Sequence, residues 1–277
     1  MVLSWSVAGV DLARWGIQNS SLWRPGISVR GQTIQSPGRH GVISAGLPVF
    51  EEPLLTFNLR HFGHYGHFDE GEIEAASMDL IGTLQSPGLI VSRTSGTLTT
   101  TAAGRLVSIT PDLFVAGVVH AYNVIVGLPG VFLRTEPAVS DLGVVTSGVE
   151  REASHLAGTT APVADAILRV RGPLSAAQVA DVLTGTGLSW AGSLTGSQYL
   201  YLDAGTLTAR RSTSASAWLS GGTDVSGQLS YPAEGPLQAW PRMQGTDPTD
   251  RRISLRITGR GFGGPTAVAV RAGGSYL

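Results

Sequence analysis

The 277-residue chain contains no cysteine. Disulfides, thiolate metal sites and cysteine nucleophiles are therefore excluded. Stability in a harsh setting must come from elsewhere, because small extracellular domains ordinarily rely on disulfides. Lysine is also absent, so all nineteen basic residues are arginine. Charged residues make up only 14% of the chain, against the usual quarter, and the formal net charge is −1. Strong polyelectrolyte attraction to nucleic acid is not expected from such a balance. No apolar run is long enough to span a bilayer. The most apolar window, Leu113 to Leu133, is broken by His120, Asn123 and Pro129, and it predicts two strands and a turn. The opening MVLSWSVAGVD lacks a basic start and meets Asp11 early, unlike a secretory signal.

Reaction signatures are missing as well. There is no G-x-S-x-G elbow, no H-E-x-x-H pair and no Walker loop. His40, His120 and His155 have no base or nucleophile pattern beside them. The glycine-rich stretch Gly259 to Pro265 follows a predicted strand, but a second strand comes next. A helix N-terminus that could hold an anion is not expected there, and the stretch reads as a hairpin loop. No catalytic residue, cofactor or metal ligand is assigned, and the chain is not expected to be an enzyme.

What is present is glycine, at 37 residues, with 42% hydrophobic residues. This combination suits many short strands joined by tight turns. In EPLLTFNLRHF, Leu55, Phe57 and Leu59 alternate with Thr56, Asn58 and Arg60, a half-buried strand. ADAILRVRG places Ala166, Leu168 and Val170 inward with Arg169 and Arg171 outward. RISLRITGRG does the same with Ile253, Leu255 and Ile257. QYLYLDAGTLTARRS predicts a hairpin turning at Asp203-Ala204-Gly205. One clear helix is expected, with Ile73, Ala76, Leu80, Ile81 and Leu84 on one face and Ser77 as its polar interruption. Asp69 and Glu72 have capping-box spacing at its start, and Ser86-Pro87-Gly88 ends it. SAAQVADVL (Ser175 to Leu183) fits a short helix or a strand.

His61, His64 and His67 stand three apart before this helix. Residues three apart on a strand face opposite sides, so the three converge on a metal only if Gly63 and Gly66 bend the chain sharply. A glycine-bent corner leading into a capped helix is the simpler reading. Trp190, Trp218, Trp240, Tyr199, Tyr201 and Tyr231 lie in the second half. They fit either core and interface positions or a sugar-stacking platform, and their large buried area favours the former. From Ala138 to Val163 the chain is mostly small or polar, which places a domain boundary near Asp141: residues 1–140, then 141–277. Residues 1–160 carry nine Arg against thirteen acids, and residues 161–277 carry ten Arg against seven. The fold class expected from these patterns is mainly β, with a β-sandwich in the second half.

The order of these features resembles the distal tail proteins, or minor tail proteins, of siphophages. The likeness runs through WSVAGVDLARWGI, SPGRHGV, EEPLLTFNLRHFG, YNVIVGLPGVFLRTEP, HLAGTTAPVADAILRVRGPL, YLYLDAGTLTARR and AVAVRAGGSYL. The resemblance implies two β-sandwich domains, the first with one helix and a long hairpin, the second galectin-like. It implies a virion structural protein whose N-terminal domains form a hexameric ring at the tail tip. A tail tube protein would bind one face and a tail-associated protein the other. DNA would pass through the central channel without specific binding. The outer domain would carry fibre or receptor-binding proteins, and no membrane insertion would occur. Assembly would take place in the host cytoplasm. A near-neutral to acidic N-terminal half suits a channel past which DNA must slide. Sugar-binding galectins use a His-Asn-Arg-Trp set, whereas here no Asn follows Asn123 and His155 is the second half's only histidine. The alternative is a carbohydrate-binding or host-adhesion module without enzymatic activity.

Overall fold

The computed structural model describes residues 3–15, 28–34, 43–62, 70–115, 119–218, 220–247, 249–264 and 266–276. Contacts divide the chain into two units, Met1–Thr135 and Glu136–Tyr276. The strand Ala138–Val144 belongs wholly to the second unit, because it pairs along its length with Ala267–Ala272. The change in composition after residue 138 therefore falls just inside the second unit. No described helix is long and apolar enough to cross a membrane.

The first unit opens with β1 (Leu3–Val7) and β2 (Val10–Asp11), then a 3-10 turn over Leu12–Trp15. β3 (Val29–Ile34) and β4 (Ile43–Phe50) pair as a long hairpin, whose turn lies outside the described residues. β5 (Leu54–Phe62) precedes α1 (Glu70–Leu84), and β6 (Ile90–Ser95), β7 (Leu98–Ala103), β8 (Arg105–Val115), β9 (Val119–Gly127) and β10 (Leu133–Arg134) follow. One sheet runs β2-β1-β6-β7-β10 and the other β5-β9-β8. Their inner faces share a core, to which α1 adds Leu80 and Leu84. Trp5 on one sheet meets Phe57 on the other edge to face, with ring centres 5.5 Å apart. Leu55, Phe57 and Leu59 are all buried, as their alternation predicts.

The helix stripe holds, with Ile73, Leu80 and Leu84 buried, and Gly88 stops the chain beyond it with a positive φ of 79°. Asp69 lies outside the described residues, so the capping box has only its Glu72 half in view. Ser77 is buried too, and its hydroxyl donates to the Ile73 carbonyl at 2.9 Å. Two register shifts, at Leu106/Ser108 and at Pro111/Leu113, interrupt the pairing of β8 with β9.

The second unit is a sandwich of two antiparallel sheets. One contains β11 (Ala138–Val144), β13 (Ile167–Arg171), β16 (Tyr199–Asp203), β17 (Thr208–Ser212), β18 (Thr223–Asp224) and β23 (Ala267–Ala272), in the order β11-β23-β13-β16-β17-β18. The other contains β12 (Val149–Glu152), β14 (Leu174–Asp181), β15 (Gly187–Leu194), β19 (Leu229–Ser230) and β22 (Ser254–Arg260), in the order β12-β22-β14-β15-β19. Short strands β20 (Arg242–Met243) and β21 (Arg251–Arg252) pair separately. Leu168, Val170, Leu200 and Leu202 from the first sheet pack against Val179, Leu188, Trp190, Leu255 and Ile257 from the second. The Asp203 carboxylate accepts from the amides of Gly205 and Thr206, which sets the predicted turn between β16 and β17.

SAAQVADVL resolves as strand. Ala177, Val179 and Asp181 face inward and are buried, so a period of two prevails over alanine's helical preference. Asp181 then clamps two loops. Its carboxylate accepts from the amides of Leu183 and Thr184, from the Thr184 hydroxyl and from the Trp240 amide, at 2.9–3.2 Å. Burial pushes its pKa up, and these donors offset part of that rise. Replacing Asp181 with Ala should strip four donors of their acceptor and destabilise the domain by about 3 kcal/mol. Urea titration of the full chain checks this.

His155 sets a pH response. Burial lowers its pKa below 6.5, and a backbone contact with Ala272 offsets part of the shift. The neutral ring therefore contributes stability that is complete above about pH 6.5 and is lost as the pH falls through the lower folded value. A thermal scan from about pH 7.5 to about pH 5 should show a fall in stability that flattens in His155→Phe.

Candidate interaction surfaces

The histidine corner is only partly in view. His64 and His67 lie outside the described residues. His61, one residue before the end of β5, has its ring 5.1 Å from that of Trp15 and pairs with His120 on β9. Among the described residues no three His, Asp or Glu side chains gather as a metal site. The histidine that the fold engages most closely is one the sequence leaves without a role. His120 is 2% exposed. Its Nδ1 lies 2.9 Å from the Ser77 hydroxyl oxygen. That hydroxyl directs its single proton to Ile73, so Nδ1–H of His120 is the donor. The polar interruption in the helix stripe is thus the point where helix α1 grips strand β9.

Phe114 stacks on the outer side of this ring, with centres 4.4 Å apart, yet remains 60% exposed. It belongs to the end of the β8–β9 hairpin, where Leu113 and Val115 are also exposed. Three consecutive apolar side chains at a hairpin end have no interior of their own to enter. Of fifteen exposed large hydrophobic residues in the described chain, nine lie in the first unit, including Val29, Val49, Ile90 and Met78. The first unit therefore carries more of the exposed apolar side chains, three of them adjacent at the hairpin end. Helix α1 presents Glu72, Glu74 and Asp79 to solvent and no basic residue.

The aromatic residues of the second unit do not form one platform. Trp190 is in the core. Tyr201 is buried on the outer face of its sheet, edge to face with Trp218 at 5.6 Å. The Arg169 guanidinium lies 4.9 Å from the Trp218 ring centre and 5.9 Å from that of Tyr199. Arg169 donates to the Ala215 carbonyl at 2.6 Å and the Tyr201 hydroxyl to that of Ser214 at 2.7 Å. These bonds strap residues 213–218 across the sheet, so most of this aromatic area is used by the protein itself. Tyr231 alone of the six is more than half exposed.

The glycine run from Gly259 departs from expectation. It is not a hairpin loop, since β22 and β23 lie in different sheets. It carries the chain from one layer of the sandwich to the other. Thr266 fastens it, accepting from the Gly263 amide at 3.1 Å and donating to the Pro173 carbonyl at 3.0 Å. This crossing was illegible locally because each strand's partners lie far away in sequence.

No protein-family model matches the chain, and no curated protein does. Solved structures do. The chain is similar to the SPP1 Dit (gp 19.1) protein, described as a paradigm of the hub adsorption apparatus in phages infecting Gram-positive hosts. The TM-score is 0.59 at 13% identity, with both chains covered completely. A chain of the phage P2 baseplate in its activated, calcium-bound conformation aligns at a TM-score of 0.42 and 10% identity, over 100% of this chain and 99% of that one. The described residues thus share the fold of the SPP1 Dit protein.

The link between helix and hairpin is open to measurement. Ser77→Ala should leave the buried His120 Nδ1–H without an acceptor and lower stability by about 1–3 kcal/mol. Ser77→Thr, which keeps the hydroxyl, should lose less. Chemical unfolding of the two variants side by side separates the hydrogen bond from simple packing.

Proposed function

We propose that this chain, which shares its fold with the SPP1 Dit protein, is a structural protein of a phage tail tip. Its first domain builds a ring, six copies in number, that joins the tail tube to the tip apparatus. The ring leaves a central channel for DNA, and the protein performs no catalysis. The second domain, a galectin-like sandwich in this reading, faces outward and carries receptor-binding or fibre proteins. The protein resides in the virion after assembly in the host cytoplasm.

One observation carries the ring. Exposed apolar side chains concentrate in the first domain, with the Leu113-Phe114-Val115 hairpin end at their head. A closed ring needs two different complementary patches on each copy. The hairpin end supplies an exposed apolar one, and the separate exposed residues of the same domain supply candidates for its receptor. Chain composition agrees. Without cysteine, repeated subunit contacts are the means by which such a particle gains durability. With a net charge of −1, the protein does not compete for the DNA that must pass.

The test is mass in solution with the tail tube protein present. A ring gives six copies of the 28.8 kDa chain. Replacing Leu113, Phe114 and Val115 together by Ser should leave the fold intact and shift the particle to single chains. A monomer at every concentration, together with tails that lack this chain at a central ring in electron micrographs, would overturn the proposal.

A further inference from the structure

The strap over the second domain is gripped by one row of donors. Arg169, Tyr201 and Arg210 are cross-strand neighbours on β13, β16 and β17. Leu168 and Val170 enter the core, so the row points outward. Each member donates to a carbonyl of the strap. Tyr201 reaches that of Ser214 at 2.7 Å, Arg169 that of Ala215 at 2.6 Å and Arg210 that of Trp218 at 3.3 Å. Among the described residues no backbone-to-backbone hydrogen bond joins 213–218 to a strand. Beyond the strap stand Gly221 and Gly222, with φ of 86° and 90°, a conformation that suits glycine and few other residues. Lifting the strap therefore breaks side-chain contacts and no sheet ladder.

The positive charge of this row has no answer in the strap. Arg169, Arg171 and Arg210 share the face, and none of them belongs to an ion pair among the described residues. Arg171, across from Tyr199, donates to the Gly196 carbonyl at 3.3 Å. The acids on the same face are committed to their own turns. Asp141 accepts from the Gly143 amide, and Asp203 from the amides of Gly205 and Thr206. Asp224 faces Arg210 from β18, but its carboxylate accepts from the amide and hydroxyl of Ser226. The guanidinium groups thus donate to neutral carbonyls, although a carboxylate is the stronger acceptor and can take both arms of the fork. We infer that the row is a docking site for an acidic peptide segment of a partner protein, and that the strap keeps it shut until that segment displaces it.

The strap itself shows what the row accommodates. It is a peptide, and its main chain already lays one carbonyl on each of the three donors. Aspartate or glutamate side chains on such a chain would add the charge that the strap lacks. A bare polyanion would use the arginines alone. The row instead sets a phenol hydroxyl between two guanidinium groups, with the Tyr199 and Trp218 rings beside Arg169 at 5.9 and 4.9 Å. That mixture suits carboxylates together with a peptide's amides and apolar side chains. The closed strap lowers the affinity by the fraction of molecules in which it is shut, so loosening it strengthens binding. The inference rests on the reading of the second domain as a carrier of other proteins. It involves no ring, so its failure leaves the mass measurement above untouched.

Calorimetric titration of the full chain with oligoglutamate and oligoaspartate peptides tests it, with oligoglutamine as the neutral control and inorganic polyphosphate as the bare polyanion. At low salt an acidic peptide should bind saturably and oligoglutamine should not, and binding should fade at about 0.5 M salt. Trp218→Ala, which frees the strap, should tighten the acidic peptide about tenfold. Arg169→Gln, which frees the strap but removes a donor, should weaken it about tenfold, and Arg169→Lys should recover part of the loss. A merely structural strap would not move the two variants in opposite directions. If Trp218→Ala fails to fold, Ser214→Gly with Ala215→Gly loosens the strap in its place, and Arg210→Gln stands in for Arg169→Gln. The inference is overturned if no acidic peptide binds at about 1 mM to either the natural chain or the loosened one, a range that weak peptide docking reaches. It is also overturned if binding survives loss of the arginines, if loosening the strap does not tighten it, or if polyphosphate binds better than the peptides.

Discussion

Both domains depend on bulky rings wedged between antiparallel sheets. In the first, Trp5 meets Phe57 across the gap. In the second, Trp190 fills the space beneath β15, and Gly192 beside it must lack a side chain because a Cβ would enter the indole. Aligned sheets pack about 10 Å apart, and large inward side chains maintain that spacing. Once the inner faces are satisfied, the outer faces are free to differ. One outer face of the second domain is covered by its own strap, held by Arg169 and Tyr201. The other is left low and open.

This division also explains part of the glycine content. Abundant glycine suggests turns, and many of the 37 serve there. Gly192 and Gly259 sit within strands instead, each beneath an aromatic ring. The residue type is legible in the sequence, while its purpose depends on which ring lies above it. A Trp two residues away or a Phe three residues away gives no local signal of that contact.

Features governed by short-range periodicity were open to reading. The alternation of Leu55, Phe57 and Leu59, that of Ile253, Leu255 and Ile257, and the helix stripe with Ser77 inside it all follow from one residue's relation to the next few. Features governed by distant partners were not. Ser77 and His120 meet across 43 positions, and neither residue marks the other. The SAAQVADVL segment fell between these cases, since only its neighbours on either side decide that it is a strand.

The irregular edge of β8 bears on the proposed ring. A long, flat, apolar edge strand is a template on which further chains add without limit. β8 is long and apolar at its end, but Pro111 removes an amide donor there and two bulges twist the backbone out of register. Chains that meet at this edge must recognise side chains, whose geometry fixes an angle, and cannot simply extend a hydrogen-bond ladder. In the proposed ring the same eleven residues would both invite a neighbour and limit it, which separates an assembly of fixed count from a growing fibril.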